Sequence, residues 1–478
     1  MNVQKLLLSI LLSLLVTALS AQGKKSVIRH IEKNQEAYVE VAHEIWENPE
    51  LGYQEEKSSA LLKAQLEAAG FSIESGVADI PTSFVATYGS GSPTIGILAE
   101  YDALPGISQD NVPERKVRIE GGAGHACGHH LFGTASVAAA IAVKDWLSKS
   151  KKSGTIKLFG TPAEEGGAGK VYMVRAGLFE EVDAVLHWHP GSGNGASATS
   201  SLANKSAKFR FHGVASHAAA APQFGRSALD GVEAMNYMVN LLREHVSSDA
   251  RIHYVITKGG EAPNVVPEFA EVFYYVRHPN TEGSRETFER VVKAAEAAAI
   301  GTGTTMDYEV IHGLFNLMPN ETLGRVVHGN MTEIGGFSYD ADEMNFAEEI
   351  RETLPEKARK DLTSTTLVAP FEVIERGRGG STDVGDVSWV VPTAGLRTAT
   401  WVPGTSAHTW QAVAAGGMSI GHKGMIMAAK TMATSAVDLY NDPSIIQRAN
   451  DELMRRRGED FNYVPLLGDR EPPLDYRK

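Results

Sequence analysis

The chain is poor in cysteine. Among its 478 residues Cys127 is the only one, so no intrachain disulfide can form. It also has no excess of positive charge. Lys and Arg number 45 against 58 Asp and Glu, a formal net charge of -13, which argues against a generic nucleic-acid binder because phosphates demand a basic surface. No internal repeat or low-complexity tract is present, and the 47 glycines carry no three-residue period, which excludes a collagen-like rod. Past residue 21 no apolar run approaches the roughly 20 residues needed to cross a bilayer, so no membrane span is expected in the mature chain. What is left is a globular chain long enough for two or three domains.

Residues 1–21, MNVQKLLLSILLSLLVTALSA, have one lysine (Lys5), an apolar stretch from Leu6 to about Leu19, and small residues at Ser20 and Ala21. This is the layout of a secretory signal peptide, and it implies an exported, periplasmic or secreted protein. In an oxidising compartment a lone thiol is either buried and inert or held by a metal. The neighbours of Cys127 therefore decide its meaning.

Short apolar runs bounded by turn residues (SFVATYG, TIGILAEYD, TIKLFGTPAEE, DAVLHWHP) alternate with helical patterns, notably over 131–148 and 170–176. Strands alternating with helices predict an α/β domain on a mainly parallel sheet. Residues 203–313 differ. There AKFRFHGV, a helix over 226–246, RIHYVIT, AEVFYYVR and a helix over 284–299 give a β-α-β-β-α order, expected for a small α+β, ferredoxin-like domain inserted between catalytic segments 22–202 and 314–478. A helix is expected over 412–439, and the tail after Asp442, with Arg455, Arg456 and Arg457, reads as a solvated surface.

Three polar clusters fall at the carboxyl ends of predicted strands, where open α/β sheets place ligands. They are Glu100-Tyr101-Asp102, Glu164-Glu165, and His187 with His189. Between the first two lies GGAGHACGHHLFG, carrying His125, Cys127, His129 and His130. Thiolate, imidazole and carboxylate are the ligands of zinc and neighbouring divalent ions. Neighbouring side chains in turn backbone diverge, so one of two adjacent glutamates can ligate while the other stands off to work on a water.

At these residues the sequence resembles a known family. The motifs HEIWENPELGYQE, AEYDALPG, GHACGHHLFG, TPAEEGGAGK and LHWHPG are similar to those of the co-catalytic metallohydrolases that include aminoacylases, carboxypeptidase G-type enzymes and auxin-conjugate amidohydrolases. SHAAAAPQFGRSALDGVEAMN, GGEAPNVVPEFAEVFYYVR and GRGGSTDVGDVSW resemble the p-aminobenzoyl-glutamate hydrolase branch, in its B-subunit form. The resemblance runs from about Lys25 to Tyr440. It implies hydrolysis of the amide bond of an N-acyl or N-aroyl amino acid by a water activated on two divalent ions, Mn2+ or Zn2+ with Co2+ as a third choice. It places Cys127, His129, Glu165, His187 and His408 at the metal-ligand positions, with Cys127 bridging, and Glu164 as general acid/base. His217 matches a histidine that reaches a neighbouring subunit's active site, Asn264 and Arg277 match contacts to the substrate carboxylate, and Asp102 matches a carboxylate that orients a ligand.

The chain departs from the pattern at His130, where Asn or Asp is common, and His189 stands as a second rival beside His187. The expected partners are a small amide substrate with a free carboxylate and a second copy of the chain docked through the inserted domain, or a related subunit. Three other readings compete. A thiol amidase built on Cys127 would not use Glu164, Glu165 and His187 together, and a pocket-only binding relative would need a gap in the set. A dipeptidase or N-acyl-amino-acid deacylase of the cell envelope would use the same site.

Overall fold

The computed structural model describes residues 21–377 and 379–477. The expected signal peptide, Ala21 apart, lies outside the described residues. Twelve strands follow in chain order: β1 Ser72–Ser75, β2 Phe84–Ser90, β3 Thr94–Ala99, β4 Gly154–Gly160, β5 Ala184–Gly191, β6 Ala198–Thr199, β7 Ala203–His212, β8 Arg251–Lys258, β9 Phe269–His278, β10 Thr305–Leu314, β11 Val373–Ile374 and β12 Thr393–Ala399.

The larger sheet has the order β1-β2-β4-β3-β5-β12. Its β4-β3, β3-β5 and β5-β12 pairs are parallel, whereas β1 and β2 attach antiparallel at one edge. Period-two alternation buries both faces. Ile95, Ile97 and Ala99 of β3 join one core with Leu131, Ala138 and Met432, while Leu98 joins Phe159, Val185, Met173 and Val387 on the opposite side. A sheet covered on both faces reads as continuous apolar runs, which is why TIGILA and AVLHW carry so few polar residues. The central helix His129–Ser150 is buried along most of its length. Its run of alanines lets the backbone lie close to the strands, and Ser136 Oγ donates to Leu98 O at 2.6 Å.

Residues 203–314 form a second unit, an antiparallel sheet of order β10-β7-β9-β8 with helices Ala228–Leu242 and Thr281–Thr302. Phe209, Phe211, Val272 and Tyr274 close against Val232, Met235, Phe288 and Val291 to make its core. Strand β8 lies at the sheet edge and is exposed along nearly its whole length.

Two expectations are corrected. The predicted helix over 412–439 is two helices, Trp410–Gly416 and Ser419–Asn441. They part at Gly417, where a Cβ would fall 2.6 Å from Trp46 Cε2. The tail is not simply a solvated surface. Helix Ser444–Arg457 buries Ile446, Ala449 and Leu453, and the segment beyond it runs back over the molecule. Leu466 and Leu467 are buried, Arg470 Nη1 donates to Val310 O and Ile311 O at 3.0 Å, and Tyr476 and Arg477 reach Glu165. Its anchors are isolated side chains with no helical or strand period, so no pattern announces them.

Candidate metal centre

The carboxyl ends of β3, β4 and β5 converge on a cavity of about 750 Å3. Cys127 enters it from the loop before helix His129–Ser150, which starts at Gly128 with φ 76°. Only glycine suits that position. Beyond the left-handed backbone, a Cβ there would lie 2.7 Å from Pro190 Cβ. This turn presses the loop onto β5 and brings Cys127 Sγ within 3.4 Å of His189 Nε2.

Two groups of ligand-type atoms share the cysteine. Cys127, His129 and His189 lie within 4.8 Å of one another, as do Cys127, Glu165 and His408. Both sets mix one thiol with imidazole or carboxylate, a donor chemistry suited to borderline divalent ions. A third group, Glu100, His129 and Glu164, is equally tight. There, however, Lys170 Nζ sits 2.7 Å from Glu100 Oε1 and 2.7 Å from Asp383 Oδ1, so its charge is already balanced by the protein.

The surrounding hydrogen bonds fix the imidazoles. His129 Nδ1 is 2.9 Å from Asp102 Oδ1, and Asp102 Oδ2 accepts from Glu165 N at 2.8 Å. One carboxylate thus aims both a histidine and the glutamate loop. His189 Nδ1 donates to Pro190 O at 2.7 Å, which leaves Nε2 with its lone pair facing Cys127. His408 has a left-handed backbone, φ 61°, tied by its N–H to Ala126 O at 2.9 Å. A non-glycine residue held there costs on the order of 1–3 kcal/mol, and here the strain turns the ring to within 3.0 Å of Glu165 Oε1.

Burial alone would leave this cluster badly placed. It pushes the Cys127 thiol up, with the Glu165 charge adding to the effect. It pushes Glu164 well above the ordinary carboxylate range, helped by the charges of Glu100 and Glu165. Burial and the nearby Arg397 hold His189 well below its ordinary value. For His129 burial works the other way from its neighbours, and Asp102, Cys127 and Glu100 win, raising it well above the ordinary value. His129 Nε2 and Glu100 Oε2 are among the buried atoms that make no hydrogen bond, and they face each other as an ion pair at 3.1 Å. A divalent cation satisfies this set: it replaces the protons on Cys127 and His129 and supplies the positive charge the carboxylates want.

The sequence-predicted residues divide as follows. Cys127, His129, Glu164, Glu165 and His408 come together, and Asp102 stands behind His129. His187 does not join them. It lines the same cavity two residues deeper on β5, opposite Gly395, where a Cβ would fall 2.3 Å from its Nε2. Strand parity puts both histidines on one face, and His189 is the one whose ring nitrogen lies near Cys127 and His129. His130 does not compete with His129. Its Nε2 donates to Gly416 O at 3.0 Å on the far side of the helix.

His217, Asn264 and Arg277 belong to the smaller domain, and none lines the cavity. His217 is exposed, and its Nδ1 accepts from Ala219 N and Ala220 N at 3.3 and 3.1 Å, which leaves Nε2–H free to donate. Asn264 is exposed, and Arg277 lies 5.6 Å from the Tyr275 ring.

Several contributors carry no distinctive signal in the sequence. Glu55 is buried, accepts from Ala163 N at 2.8 Å and from Thr82 Oγ1 at 2.9 Å, and is pushed up to about 8 by burial and then by Asp102. It steadies Ala163, whose φ is 58°, just before the two glutamates. Glu55, Lys170 and Asp383 all lie inside the quoted motifs, and that is their only mark.

Residues 96–411 match the model of peptidase family M20/M25/M40. The chain is 41% identical over 446 residues to the B subunit of p-aminobenzoyl-glutamate hydrolase from Escherichia coli (strain K12), covering 88% of this chain and 93% of the relative. It is 30% identical to Xaa-Arg dipeptidase of Mus musculus, covering 90% and 92%. Among solved structures it shares its fold with an aminobenzoyl-glutamate utilization protein from Klebsiella pneumoniae (TM-score 0.60, 16% identity, 86% of this chain and 97% of that one). It also shares it with a dinuclear metal-binding M20 peptidase from Bacillus subtilis (TM-score 0.58, 18% identity, 85% and 99%). Fold, ligand cluster and sequence agree: the chain belongs to peptidase family M20/M25/M40 and is a metal-dependent hydrolase of amide bonds.

Proposed function

We propose that the protein hydrolyses the amide bond of N-aroyl or N-acyl amino acids of the p-aminobenzoyl-glutamate type. Two divalent ions would be held by Cys127, His129 and His189 on one side and by Cys127, Glu165 and His408 on the other, and Mn2+, Zn2+ and Co2+ suit the donors. When bound, such ions acidify water and polarise a carbonyl. The observation that carries the reading is Glu164, whose carboxylate lies within 4.8 Å of a His129 nitrogen yet belongs to neither cysteine-centred group.

Glu164 takes the proton of the attacking water and delivers it to the leaving amine. His217 of a second copy donates its Nε2–H to the tetrahedral oxyanion. Asn264 and Arg277 take the substrate's free carboxylate, for which a planar guanidinium fork is suited. The exposed apolar side chains Tyr237, Leu241, Val255 and Ile256, on one helix and the edge strand of the smaller domain, favour a homodimer through that domain. The 41% relative is named as one subunit of a hydrolase, so a related partner chain is the second assembly to test. The N-terminal layout supports export.

Glu164→Gln should keep its metal and lose turnover by about 100- to 10,000-fold on p-aminobenzoyl-glutamate. Mixed dimers of Glu164→Gln and His217→Ala should recover part of the activity. Wild-type turnover in Glu164→Gln, or silence of verified mixed dimers, contradicts the corresponding assignment.

A further inference from the structure

Arg397 has no role in the chemistry above. It lies on β12 directly opposite His189, with Gly395 opposite His187, so all four positions face the cavity. Among the described residues lining that cavity it is the one lysine or arginine, and Glu100, Glu164 and Glu165 line the same cavity. Its side chain is exposed and, among the described residues, makes no hydrogen bond or ion pair. Its backbone is pinned on both sides, N to Gly195 O at 2.8 Å and Gly195 N to its O at 3.0 Å. The guanidinium is therefore anchored at its base and unpaired at its tip. The same cavity is lined by neutral hydroxyl side chains, Ser197, Thr199 and Thr382.

An anionic group on the substrate would pair a guanidinium that the protein leaves unpaired. We propose that Arg397 is a specificity residue whose guanidinium takes a second carboxylate of the substrate, the acidic side chain of a glutamyl- or aspartyl-type amino acid. This inference rests on the proposed amidohydrolase reading. It makes the pocket selective for dicarboxylic amino acids over neutral ones, and it repels a basic side chain. Five N–H donors in a planar fork match a carboxylate in two-point contact, and hydroxyls of the same cavity complete the acceptor's remaining positions.

The test compares metal-reconstituted wild type with Arg397→Gln and Arg397→Lys on 4-aminobenzoyl-glutamate and on 4-aminobenzoyl-glutamine, an isostere whose side chain alone is neutral, with metal content and Tm measured for each. Wild type should favour the glutamate. Arg397→Gln should lower kcat/KM for the glutamate by about 10- to 100-fold, mainly through KM, and leave the glutamine within about threefold. Arg397→Lys should restore part of the preference. Equal losses on both substrates, or no loss on either, overturn the subsite while leaving the amidohydrolase reading intact. If wild type cleaves no aroyl-amino acid, the reading itself falls and the subsite falls with it.

Discussion

Replacing His187 or His189 one at a time separates the two histidines that the strand places on one face. His189 Nε2 lies 3.4 Å from Cys127 Sγ, and its Nδ1–H is committed to Pro190 O at 2.7 Å. His189→Ala leaves only Cys127 and His129 of that group. Groups one step removed from a metal already change its affinity by about 10- to 100-fold, so a direct ligand costs at least about 100-fold, or about 2.7 kcal/mol. His187→Ala removes a ring packed on the Gly395 backbone and no member of either cysteine-centred group. It should cost about 1–2 kcal/mol of stability through lost packing and leave metal affinity within about threefold. Metal content after dialysis against a chelator, followed by competition with a chromophoric chelator, reads both. His189→Ala should drop from two equivalents to one, whereas His187→Ala should keep both. The reverse result would refute the geometric assignment.

Three further outcomes follow from the same geometry. Lys170→Met removes the cation between Glu100 and Asp383, 2.7 Å from each, and should destabilise the protein by about 3–5 kcal/mol in denaturant unfolding, because two buried carboxylates lose their counter-charge. A value under about 1 kcal/mol would show that the network is relaxed by water. Truncation after Asp469 removes Tyr476 and Arg477, which donate to Glu165 O at 3.2 and 2.8 Å, and should lower kcat by roughly 10-fold with metal content kept. An unchanged kcat would limit the tail to a structural role. Burial holds His312 and His422 at about 4 in the folded chain, so from about pH 6.5 down to 4 the unfolded chain takes up protons that the folded one refuses. Stability should therefore fall as pH drops through that window, by on the order of 1.4 kcal/mol per pH unit per histidine, and His422→Gln should make the fall shallower. An identical acid slope in His422→Gln would contradict this.

Most of the fold is legible in period and punctuation. Alternating apolar runs ending in polar residues mark β2 to β5, and the switch to β-α-β-β-α spacing marks the smaller domain, whose sheet runs from Ala203 to Leu314. Cys127, the two glutamates and His408 are legible because they sit in long motifs. The choice between His187 and His189 is not, because residues two apart on a strand share a face and only the height of the Cys127 loop distinguishes them. The tail escapes sequence reading for a related reason. Its contacts are long-range and made by isolated side chains, among them Tyr463 on Asp386 and Arg470 on β10 carbonyls. Arg397 and Glu55 look ordinary in sequence, since an unpaired surface arginine and a buried glutamate differ from any other only by what surrounds them.

Anomalous diffraction from crystals grown with Mn2+ or Zn2+ tests the central claim most directly. The account predicts two peaks on either side of the Cys127 sulfur, about 3.5–4 Å apart, one shared with His129 and His189 and the other with Glu165 and His408. A single peak, or two peaks that leave the sulfur without a metal, would contradict it.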